Sequence, residues 1–110
     1  MAQDFESNGA RITNSATTIV TADSDDAVVG LRFANILTTT DTLSVWITDA
    51  GDSNNVRYLI KDVSVPAASS IEIVQGGSKI VMQNGDVLKG QAGTANGFDC
   101  WMSRVDSIST

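Results

Sequence analysis

The residues that could carry chemistry in this sequence are mostly carboxylates. Thirteen acidic residues, eleven of them aspartate, stand against seven basic ones, for a net charge of −6. There is no histidine. That removes the commonest general base, the usual serine and cysteine triads, and most zinc and haem ligation. Two carboxylates flanking a sugar bond could run glycosidase chemistry. Aspartates this numerous, set in turns, form close pairs by chance, so the pattern does not single out such a pair. Asp49, Asp52, Asn54 and Asn55 make a carboxylate–amide cluster with the donor chemistry of a calcium loop. It lacks the alternate ligand spacing and the closing glutamate of an EF-hand. A hairpin turn, where Asp and Asn bond their own backbone, explains it better. Asp23, Asp25 and Asp26 read the same way. Cys100 is the single cysteine, so it can enter neither an internal disulfide nor a CxxC site. It lies between Phe98 and Met102 on an inward parity, which suits a buried thiol. Gly76-Gly77, and Gly90 with Gly93, fit turns or bulges and form no phosphate-binding pattern. The chain is therefore expected to be no enzyme and to need no metal or cofactor.

The elements that would position these residues are strands. Apolar residues make up 42 % of the 110 and charged residues only 18 %, so Ser, Thr, Asn and Gly fill the balance. Residues 43–48 (Leu-Ser-Val-Trp-Ile-Thr), 56–61 (Val-Arg-Tyr-Leu-Ile-Lys) and 98–103 (Phe-Asp-Cys-Trp-Met-Ser) each alternate with period two. Further strands are expected at 16–22, 27–36, 70–74, 79–83 and 86–92, where β-branched residues concentrate. Turn-rich clusters separate them, and Asn84-Gly85 is a two-residue hairpin signal. Pro66 falls between strands, where it removes no ladder donor. The fold class is all-β: one antiparallel β-sandwich of about eight strands, jelly-roll or immunoglobulin-like, over residues 11–110. Residues 1–10 lack alternation and are read as an N-terminal arm. Leu43, Val45 and Ile47, with Val56, Tyr58 and Ile60, and with Phe98, Cys100 and Met102, are the expected inward sets.

The acidic balance argues against nucleic acid and against an anionic membrane surface, both of which need clustered Lys and Arg. No run approaches the roughly 20 apolar residues of a membrane span. The start of the chain lacks the positive charge and apolar run of a signal peptide. Synthesis in the cytosol is expected.

Parity is broken in an informative way. Each of the three clearest strands carries one large apolar residue on its polar face: Trp46, Leu59 and Trp101. A covering loop could account for them. Tryptophan is also the residue most enriched at interface hot spots. The three are expected to form a protein–protein surface, with a homo-oligomer, a trimer first, as its product.

Several segments, taken in order, resemble small virion proteins of tailed bacteriophages. They are Val29-Gly30-Leu31-Arg32-Phe33-Ala34-Asn35, then Leu43 to Asp49, then Tyr58-Leu59-Ile60-Lys61-Asp62-Val63-Ser64-Val65-Pro66-Ala67. Gly76-Gly77-Ser78-Lys79-Ile80-Val81, Gly85-Asp86-Val87-Leu88-Lys89 and Ala95-Asn96-Gly97-Phe98-Asp99 follow. The resemblance spans residues 12–108 and departs at Cys100-Trp101-Met102. It implies a structural protein of the particle, made in the bacterial cytoplasm and located in the virion. The leading expectation is a capsid decoration or cement protein docked on a major capsid protein. The alternatives are a neck, tail or baseplate component, a small carbohydrate-binding sandwich using Trp46 or Trp101, and an acid-based hydrolase.

Overall fold

The computed structural model describes residues 4–74 and 79–106. The turn expected at Gln75-Gly76-Gly77-Ser78 lies outside the described residues. Nine strands follow one another: β1 Asp4–Ile12, β2 Thr17–Thr21, β3 Asp26–Asn35, β4 Asp41–Asp49, β5 Asn55–Val65, β6 Ser70–Val74, β7 Ile80–Met82, β8 Val87–Ala92 and β9 Phe98–Asp106. The eight expected strands all form. The ninth, β1, replaces most of the expected arm. It pairs with β9 over nine consecutive residues with no shift in register. Its inward positions are Glu6, Asn8, Ala10 and Ile12, so only its last residues show the apolar alternation that marks a strand.

The strands form two antiparallel sheets. Sheet A runs β1-β9-β3-β6, with β7 also paired to β3, and sheet B runs β2-β8-β4-β5. Strand β6 pairs with Leu31 to Ala34, and β7 with Asp26 to Val28, so the two share one edge of β3. The two orders match position by position as chain neighbours: β1 with β2, β9 with β8, β3 with β4, β6 with β5. That nesting is the jelly roll, which decides between the two expected sandwiches. Between the sheets lies an aliphatic core with Phe33 and Phe98 at 0 % exposure. Leu31, Leu43, Val45, Leu88 and Met102 pack in the same cluster.

Strand β5 corrects the expected inward set. Leu43 pairs with Val63 and Val45 with Ile60, but Trp46 pairs with Tyr58. Leu59 is thus an extra residue, and a second extra residue falls between Ile60 and Val63, where Asp62 has φ 51°. Each bulge reverses side-chain parity. Tyr58 therefore points outward with Trp46 and is 49 % exposed, and Val56 is also exposed. Ile47 and Ile60 remain inward and pack against the core.

The Asn84-Gly85 signal also needs correction. A turn forms there, with Asp86 N–H donating to the Gln83 carbonyl at 3.0 Å. It joins β7 in sheet A to β8 in sheet B, so it is a corner and no hairpin. Gly85 has φ +95°, while Asn84 is not among the positive-φ residues. Positive φ at the third position alone is what a type II turn asks for. The β4–β5 hairpin is instead closed by the 49–55 cluster. Asp49 caps a short 3₁₀ turn by accepting from Gly51 N–H at 3.1 Å, and Ser53 and Asn54 take left-handed φ.

Candidate interaction surface

The register of sheet A fixes which residues meet on its outer face. Arg11, Asp99, Ala34 and Ser70 form one row across the strands, and Gly9, Trp101, Arg32 and Glu72 form the next. Ser7, Ser103 and Gly30 make a third. At the far end, Phe5, Val105, Ala27 and Val81 make an apolar row across four strands. Phe5 (85 % exposed), Val81 (60 %) and Trp101 (58 %) are the three most exposed large apolar side chains among the described residues. All three are on this face. A monomer seldom gathers its exposed apolar groups in this way.

The rest of the face is small or charge-balanced. Trp101 lies over Gly9, where an added Cβ would sit 3.1 Å from the indole Cζ3. A larger residue there would make the ring shift by a few tenths of an ångström. Beside the indole runs a groove of about 480 Å³ whose floor includes Gly9, Ala10 and Ala34. A second groove, of about 320 Å³, passes over Gly30 and Ser103 on the other side. Arg11 pairs with Asp99 and Arg32 with Glu72. The two positive and two negative charges cancel, on a chain whose net charge is −6.

The expected trio does not come together. Trp101 stands on sheet A, whereas Trp46 and Leu59 belong to sheet B. Trp46 faces outward as parity required, yet it is only 8 % exposed. Tyr58 covers it, with ring centroids 5.7 Å apart, and Lys61 Nζ sits 5.0 Å above the Tyr58 ring. Leu59, the bulge residue, is half-buried against the core. Phe5 and Val81 were missed because their segments are too short or too polar inside to display alternation.

The carboxylate clusters are engaged with the protein itself. Asp52 accepts from Arg57 at 2.7 Å and from Asn55 at 3.2 Å. Asp26, 1 % exposed, pairs with Arg104, which also meets Glu6 at 2.7 Å. The carboxylates of Asp23, Asp26 and Asp106 lie within 4.8 Å of one another, with Arg104 as the positive charge beside them. Burial alone would lower the Arg104 pKa; the hydrogen bond and charge of Asp26, with Glu6 and Asp106, outweigh it and raise it. Asp106 titrates below the usual carboxylate range, through a hydrogen bond with the Asp26 side chain and another from Ser24, 2.7 Å away. Asp25 lies outside this group. The signal for Arg104 was in the sequence: it follows Phe98, Cys100 and Met102 on the inward parity of β9. Cys100 is buried, and burial pushes its thiol up to about 12.

No family model matches this sequence, and no curated protein does. Among solved structures, the chain is similar to a subunit of Bacillus endospore appendages, which form a family of disulfide-linked pili. The match covers 98 % of this chain and 88 % of that one, with a TM-score of 0.56 and 15 % identity. At that identity the likeness is one of fold. It overturns the expectation of a phage capsid protein: the solved structure that shares the fold across nearly the whole chain is a bacterial appendage subunit. The expected capsid partner falls with it.

Proposed function

We propose that this chain is a structural subunit of the pilus-building kind, which acts by associating with copies of itself and carries out no catalysis. One observation carries this reading: the three most exposed large apolar side chains among the described residues share one charge-balanced sheet face. The fold likeness to an appendage subunit supports it. The mode of linkage must differ from the neighbour's. With one cysteine, these residues could join two copies at most by a disulfide, and Cys100 is buried. A buried thiol held at about 12 supplies almost no thiolate near neutral pH. Association here is non-covalent and rests on apolar burial.

The test compares the parent chain with a Phe5→Ser, Val81→Ser, Trp101→Ser triple variant by size-exclusion chromatography with light scattering. All three side chains are on the surface, so the variant should melt within a few degrees of the parent. The parent should elute as an oligomer and the variant as a monomer, with or without reductant. A parent that stays monomeric at every concentration would overturn the reading.

A further inference from the structure

The outer face of sheet A carries an exposed indole and a recess side by side. Trp101 lies across Gly9 with more than half of its surface exposed, and the groove over Gly9, Ala10 and Ala34 lies next to it, with Trp101 as one wall. We infer that two copies pair face to face about a two-fold axis, each Trp101 seated in the other's groove. This rests on the self-association reading above and specifies its geometry.

Three features select a second copy as the occupant. The first is shape. A two-fold interface requires the same patch to be complementary to itself. An exposed ring adjoining its own groove meets that condition, and the two indoles then stack against each other, a contact that adds to their area burial. The second is charge. Copies with a net charge of −6 repel. The Arg11–Asp99 and Arg32–Glu72 pairs make this face locally neutral, so two copies can meet here without stacking like charges. Arg32 also lines the groove, where its guanidinium can lie against the incoming indole. The third is area. Strands β1, β9 and β3 and the edge shared by β6 and β7, about 4.8 Å apart and averaging about nine residues at about 3.3 Å per residue, give a face of roughly 570 Å². Stable specific contacts run from about 600 to 1,000 Å² per partner. The face falls just short of that range, which fits a weak pair whose population depends on concentration. A two-fold contact also closes on itself, so this face yields a dimer in place of the trimer expected from sequence, and any longer assembly must use another surface.

Trp101 reports directly on the pair. Of the two tryptophans, Trp46 is buried and Trp101 is exposed in the single chain. Acrylamide should therefore quench one accessible fraction of the emission at low concentration. As concentration rises through the association range, that fraction should fall several-fold. A Trp46→Phe variant isolates the Trp101 signal; if it folds poorly, the accessible fraction of the parent gives the same reading. Ala34→Arg fills the groove from the outer face and should weaken pairing by about tenfold or more, with the strand signal in circular dichroism unchanged. Trp101 that stays open to acrylamide while the parent associates would overturn the pair and leave self-assembly standing. A parent that never associates would overturn both. An Ala34→Arg variant that pairs as tightly as the parent would place the contact elsewhere.

Discussion

Arg104 links strands that are far apart along the chain. Its guanidinium joins Asp26 at the head of β3 and Glu6 on β1 from its own place on β9, so one side chain ties three strands. Breaking a buried ion pair leaves an uncompensated charge, which costs about 3–5 kcal/mol. Arg104→Met should lower stability by that amount in denaturant titrations, and Asp26→Asn in the same chain should restore part of it. Asp106 sets a pH window for the same cluster. Its folded pKa is depressed, so its contribution is present above the ordinary carboxylate pKa and is lost as pH falls through the folded value. Melting temperature should decline on acidification, and Asp106→Asn should flatten that decline. Cys100 has the opposite sign of shift. Its folded pKa is raised to about 12, so its stabilising share is intact below the unfolded thiol's pKa, about 8.5. That share is lost as pH rises toward the folded value. Native protein should resist iodoacetamide at pH 8 and react at once in denaturant. Rapid labelling of the native chain would show that the thiol is open.

Among the elements, β1 and β5 mark the limits of what the sequence discloses. Period-two alternation marks three strands, each with one dry face, and β-branched residues mark five more. It could not find β1, where Glu6 and Asn8 occupy inward positions and the compensating charge, Arg104, lies 98 residues away along the chain. It misjudged Tyr58 and Val56 because a bulge reverses parity without changing composition. It placed Trp46 on the correct face, but the cover supplied by Tyr58 is a property of pairing that no single strand shows. Trp101 was legible as an outward aromatic, whereas its neighbours Phe5 and Val81 become visible only once β1 and β7 are laid on sheet A. The uneven anchoring of β1 has a measurable consequence. Ile12 is buried in the core, while Phe5 is almost fully exposed on an edge strand. Amide exchange should be faster from Phe5 to Asn8 than in β3 or β9, and slow toward Ile12. Uniform protection along β1 would mean that another contact holds its first half.

At the scale of the whole molecule, net charge and the neutral face act against each other. Free copies repel at −6, and salt screens that repulsion without weakening apolar burial. Association should therefore hold or strengthen from low salt to about 0.5 M, where surface ion pairs alone would be screened. Dissociation on adding salt would show that charge pairing drives the contact. The proposed role of this jelly roll is to meet copies of itself. Sedimentation equilibrium of the purified chain over a wide dilution series tests it most directly. The mass should climb from one chain toward a dimer or larger species as concentration rises, with the same curve in reducing buffer. A mass of one chain at every concentration would contradict it.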